Sequence, residues 1–136
     1  MIPRTTFVDP EVATVGLNET TAHETGVPFE TTQFPLAELD RAIVDGNTRG
    51  FIKVLTVPGR DRILGVTVVG AHASEILAEF TLAMRHGLGL KRILGTVHAY
   101  PTYAEAARYA AGTWRRAHAP ASFLGLLARY HAWRRG

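Results

Sequence analysis

One stretch of the sequence, Val97-His98-Ala99-Tyr100-Pro101-Thr102-Tyr103-Ala104-Glu105, gathers an imidazole, a phenol and a carboxylate into a short span. Such groups donate, accept or relay protons when they share a site. A proline directly after an aromatic residue fixes a rigid turn and makes a cis peptide bond accessible, and Thr102 then stands where a helix can open. His98, Tyr100 and Glu105 are thereby candidate catalytic residues at a loop-to-helix junction. A plainer role competes for Glu105. Thr102-x-x-Glu105 is also a capping box, in which the carboxylate only satisfies orphan backbone donors.

Other stretches approach known chemical motifs and stop short. Gly87-Leu88-Gly89-Leu90-Lys91-Arg92 begins like the dinucleotide-binding G-x-G-x-x-G, but Arg92 replaces the third glycine and the segment follows a helical pattern, not a strand. Gly65 and Gly70 have the spacing of a phosphate-binding loop, with Ala71-His72 where Lys and Ser or Thr belong. His23-Glu24-Thr25-Gly26-Val27 lacks the second histidine of a zinc-protease helix, and the remaining histidines are scattered, so no metal site is expected. The absence of cysteine excludes disulfides, thiolate metal sites and thiol catalysis within this chain.

The elements that must position the candidate residues follow from periodicity. Thr5 to Val8, Val12 to Leu17 and Phe29 to Phe34 read as strands, with a short helix between the last two, capped by Asn18 or Thr21 and stopped by Gly26. Gly50 to Val57 and Ile63 to Val69 flank Pro58-Gly59-Arg60-Asp61, which is turn chemistry, so an antiparallel hairpin is expected with its second strand buried on both faces. Past Gly70 the period becomes helical: Ile76, Leu77, Phe80, Ala83 and Met84 share one stripe, Glu75, Glu79 and His86 another. A second helix is expected from about Thr102 to Arg116, with Tyr103, Ala106, Ala107, Ala110 and Trp114 on one side. After Pro120, Phe123, Leu124, Leu127 and Tyr130 suggest a final amphipathic helix. Strands first and helices later predict an α+β fold, an antiparallel β-sheet with helices packed mainly on one face.

With 136 residues, 46% of them hydrophobic and 20% charged, the chain has the size and composition of one globular domain, 1–136, in which 113–136 forms a basic C-terminal helical tail. Residues 1–105 carry nine Lys or Arg against all twelve Asp and Glu, whereas 106–136 carry six Arg and no acid. Such a tail either forms the solvated face of terminal helices or, in an alternative reading, makes the chain a free-standing basic module for nucleic acid or an acidic membrane surface. No apolar run has the roughly 18 residues of a membrane span, and no signal-peptide pattern opens the chain. A cytoplasmic protein is expected.

Four motifs occur in the order seen in one known domain: Phe7-Val8-Asp9-Pro10-Glu11-Val12-Ala13-Thr14-Val15-Gly16-Leu17, Gly50-Phe51-Ile52-Lys53-Val54-Leu55, Ile63 to Glu75, and His98 to Glu105. The chain resembles the C-terminal dimerisation domain of the pyridine nucleotide-disulfide oxidoreductases, the group of lipoamide dehydrogenase, glutathione reductase and mercuric reductase. The resemblance implies a FAD-dependent, NAD(P)H-linked homodimeric parent enzyme whose flavin and nicotinamide domains lie outside this chain, so that no cofactor is held here and the fragment is inactive alone. It implies no nucleic-acid and no membrane partner.

In the lipoamide and glutathione reductases such a domain lends the partner subunit a histidine, in a His-Pro-Thr motif, backed by a glutamate five residues later. Glu105 matches that glutamate, whereas Tyr100 stands in the histidine's place, two residues after His98. A phenol of pKa near 10 does not shuttle protons at neutral pH as imidazole does, and tyrosine here is similar to mercuric reductase. The vicinal cysteine pair that mercuric reductases carry near the C-terminus is not in this sequence. The chain is then expected to be about the last third of a mercuric reductase-like enzyme. Tyr100 and Glu105 are expected at an exposed rim, His98 more buried and structural, and the stripe from Tyr103 to Trp114 is expected to add to a two-fold dimer contact.

Overall fold

The computed structural model describes residues 1–119. Five strands, β1 (Arg4–Thr6), β2 (Val12–Gly16), β3 (Glu30–Pro35), β4 (Phe51–Thr56) and β5 (Ile63–Val69), form one antiparallel sheet in the order β1-β2-β5-β4-β3. Five helices accompany them: α1 (Glu19–Glu24), α2 (Asp40–Val44), α3 (Ala73–Arg85), α4 (Leu90–Leu94) and α5 (Glu105–Ala117). A 3₁₀ turn, Leu36–Glu38, leads into α2.

The sheet's register explains its core. Ile52 pairs with Val68 and Val54 with Val66, while Ala13 and Val15 face the same two valines from β2. Side chains alternate along a strand, so all six, with Phe34 of β3, project to one face, and all are buried. On that face α3 lays Ile76, Leu77, Phe80 and Ala83 across β5 and β2, and α5 lays Ala106, Ala107, Ala110, Ala111 and Trp114 across β3 and β4. Each fully buried branched or aromatic side chain contributes about 1.5–3 kcal/mol. The α+β arrangement with helices mainly on one face is the one the sequence predicts.

Several local expectations need correction. β5 is not buried on both faces: Thr67 and Val69, which point away from α3 and α5, are only half-buried. On the second face α1 is pinned by the Lys53–Glu19 ion pair at 2.8 Å. α1 is capped by Asn18, one of the two residues expected there; its side chain accepts from the Thr21 N–H while the Thr21 hydroxyl accepts from the Asn18 N–H.

The small-residue stripe of α5 is not free for a second subunit either. Its alanines are 0% exposed and Trp114 3%, because small side chains let the helix settle closely onto its own sheet, where Tyr109 stacks on Phe34 at 5.6 Å. α5 continues unbroken to Ala117, so the first residues of the expected tail belong to the core helix. The expected helix after Pro120 lies outside the described residues. α2 and α4 are short elements that periodicity does not reveal.

Candidate active site

The loop from Gly95 to Ala104 joins α4 to α5. Its position follows from how α4 is set. Asp61, in the β4–β5 turn, accepts the Leu90 N–H through its backbone oxygen at 2.9 Å and the Lys91 N–H through Oδ2 at 3.2 Å, closing the N-terminus of α4. A side chain at Gly89 would overlap that aspartate, and Gly87 ends α3 with φ +66°. The Gly87-x-Gly89 stretch is therefore a helix-to-helix connection with a packing reason for each glycine. It is not the cradle between strand and helix that a dinucleotide phosphate requires, and the residues here do not fit FAD or a nicotinamide cofactor.

At its α4 end the loop is tied locally: the Thr96 hydroxyl donates to the Arg92 carbonyl at 2.9 Å. His98 then turns inward. Its side chain is 7% exposed, its Nδ1 lies 3.1 Å from the Thr96 carbonyl, and its Nε2 lies 2.9 and 3.0 Å from the two oxygens of Glu79 on α3. Both ring nitrogens thus face acceptors. Tyr100 points the other way and is 68% exposed, on a cis peptide bond to Pro101. Asp40, at the start of α2, pushes the phenol above its ordinary pKa, with Glu105 adding to the effect.

Glu105 departs from the expected rim. It is 3% exposed, and its Oε2 accepts the Thr102 N–H at 3.2 Å. The Thr102 hydroxyl donates backward to the Ala99 carbonyl at 2.6 Å, so only the carboxylate half of the capping box forms and the helix starts at Glu105, not Thr102. The carboxylate thus satisfies a backbone donor of the turn that leads into α5, and as an acid in the first turn it complements the helix dipole. Next to it, Tyr103 lays its ring on His72 at 4.4 Å, with its hydroxyl buried and without a hydrogen-bond partner among the described residues.

The structure thus brings His98, Tyr100 and Glu105 onto one loop but gives them different surroundings: paired and inward, exposed, and buried at a helix start. Sequence reasoning missed two residues, Glu79 and Asp40. Glu79 was visible as a polar position of α3 but carried no signal linking it to a histidine 19 residues later. Asp40 lies 60 residues before Tyr100 on a helix with no readable period.

An antiparallel five-stranded sheet with α3 and α5 on one face is the frame that carries this loop. Residues 2–111 match the family described as pyridine nucleotide-disulphide oxidoreductase, dimerisation domain, and the chain belongs to that family. The dihydrolipoyl dehydrogenase of Chlamydia muridarum is 41% identical over 104 residues, covering 76% of this chain and 22% of that enzyme. The dihydrolipoamide dehydrogenase of Chaetomium thermophilum is 41% identical over 110 residues, covering 81% and 22%. Among solved structures, LpdA from Mycobacterium tuberculosis superposes with a TM-score of 0.76 at 26% identity over 87% of this chain and 25% of that one. The HOCl-induced flavoprotein disulfide reductase RclA from Escherichia coli gives 0.74 at 25% identity over 79% and 25%. The chain spans about a quarter of the length of these relatives.

Proposed function

We propose that this chain is the interface domain of a homodimeric, FAD-dependent, NAD(P)H-linked disulfide or metal-ion oxidoreductase, and that Tyr100 is offered to the substrate side of the partner subunit. The observation that carries this reading is the orientation of Tyr100, 68% exposed on the loop before α5 while its neighbours His98 and Glu105 are turned inward. Flavin and nicotinamide belong to other parts of that parent, since this chain spans about a quarter of the length of its relatives. Exposed Ile43, Val44 and Val97, at 53%, 76% and 94%, supply apolar surface for a second copy now that the α5 stripe is spent within the fold. Isologous pairing is the commonest way to cover such surface.

The chemistry of residue 100 narrows the substrate. A phenol raised by Asp40 does not take a proton from a thiol at neutral pH; it donates a hydrogen bond to an acceptor atom that gains charge. This favours a mercuric reductase-like parent, acting on an oxidised substrate without a dithiol, over a lipoamide dehydrogenase proper. Glu105 contributes by holding the turn at the start of α5, and His98 by anchoring the loop. In the intact enzyme, Tyr100→Phe slows turnover of the oxidising substrate about 10²-fold. The rate at which NADH or NADPH bleaches the flavin stays unchanged. Equal loss in both half-reactions overturns the assignment.

A further inference from the structure

Tyr100 sits between two anchors. On its C-terminal side, the Thr102 and Glu105 contacts reach no further than five residues along the chain. On its N-terminal side, Thr96 bonds back into α4. Apart from the influence of Asp40 on the Tyr100 phenol, and among the described residues, one hydrogen-bonded contact ties the loop to an element other than the two helices it joins: His98 Nε2 to both oxygens of Glu79, at 2.9 and 3.0 Å. α3 is a rigid support, with Ile76, Leu77 and Phe80 buried at 0 to 2% exposure against the sheet. The His98 ring has no freedom to turn, because its other nitrogen is opposite the Thr96 carbonyl.

We propose that Glu79 is a positioning residue of this site: by clamping His98 to α3 it sets the direction in which the loop presents Tyr100. The inference rests on the role proposed for Tyr100, but the geometry behind it does not. Glu79 touches no substrate. It acts through His98, two residues from Tyr100 along the chain. A side chain that is 68% exposed gains little orientation from its own packing, so its direction is inherited from the backbone that the clamp holds.

The test reads Tyr100 directly. 3-Fluorotyrosine placed at position 100 of the full chain gives one ¹⁹F resonance whose line width, shift and pH titration report the phenol's surroundings. Glu79→Ala should move the resonance toward that of free fluorotyrosine and bring its titration down toward the free value, since the phenol leaves Asp40. Glu79→Gln, which keeps an acceptor for the His98 N–H, should restore most of the wild-type spectrum. An unfolding midpoint measured alongside separates a loosened loop from a lost fold. If Glu79→Ala does not fold, Glu79→Asp retains the charge but withdraws it by one methylene, and should give a smaller displacement of the same sign.

A folded Glu79→Ala or Glu79→Asp protein with an unchanged ¹⁹F spectrum and titration overturns the proposal. In the intact enzyme, Glu79→Ala should lower kcat for the oxidising substrate about tenfold, with KM less affected, as misplacement of an orienting group does. If Tyr100 has no role in turnover, Tyr100→Phe leaves the rate unchanged while the ¹⁹F response to Glu79 persists, so the two failures are distinguishable.

Discussion

The two ends of α5 are held by the same chemistry to different effect. Before its N-terminus, His98 pairs with Glu79 of α3; at its C-terminus, His118 pairs with Glu30 of β3 at 2.8 Å while its Nδ1–H donates to the Trp114 carbonyl at 2.9 Å. The His118 ring stacks on Trp114 at 4.4 Å and 21°, and the other oxygen of Glu30 accepts the Gly59 N–H at 3.0 Å, so a helix end, a strand and a turn are joined at one point. What differs is the neighbour. The first pair sits two residues from an exposed phenol, whereas the second borders a buried indole. In both pairs each ring nitrogen faces an acceptor, and only the first has an exposed phenol two residues away.

The contrast can be broken most severely at the C-terminal end. Trp114→Ala should cost about 3–5 kcal/mol, since a buried aromatic is lost and the stack under His118 goes with it. Urea denaturation monitored by far-UV circular dichroism measures this. At the other end, Glu105→Ala removes the carboxylate at the helix start and should cost about 1 kcal/mol, with Glu105→Gln retaining most of it. A loss as large as that of Trp114 would mean that Glu105 does more than close the helix.

A pH series sharpens the comparison further. The Trp114 carbonyl, and then Glu30, hold the His118 pKa above the ordinary histidine value despite partial burial. A raised folded pKa means that protonation favours the native state: the stabilisation is complete below the ordinary value of about 6.5 and fades as pH rises through the raised one. The stability difference between wild type and His118→Gln should therefore shrink on going from mildly acidic to alkaline pH. A difference that grew with pH would refute the latch.

The smallest expected effect is on stability at the reactive candidate itself. Tyr100→Phe should change the unfolding free energy by less than about 0.5 kcal/mol, because the hydroxyl is exposed. Asp40→Asn should leave the fold intact and let the phenol titrate closer to its ordinary value, readable in the tyrosinate absorbance change against a Tyr100→Phe control.

Local pattern was sufficient for much of this protein. The β-prone runs Phe51–Thr56 and Ile63–Val69 around a Pro-Gly turn specify the central hairpin, the helical stripe of Ile76, Leu77 and Phe80 specifies α3, and the ordered motifs from Phe7 to Glu105 specify the family. These signals are legible because side-chain period and turn chemistry are properties of neighbours along the chain. Tertiary structure decided what each face met. The alanine stripe of α5 went to its own sheet, Glu105 went into the core at a helix start, and His98 found a carboxylate 19 residues away on α3. A sequence states that a face is apolar or that a ring can donate. Which surface buries that face, and which acceptor meets that ring, depends on packing among elements far apart in the chain, and at Tyr100 that packing is what turns one aromatic residue out of the fold.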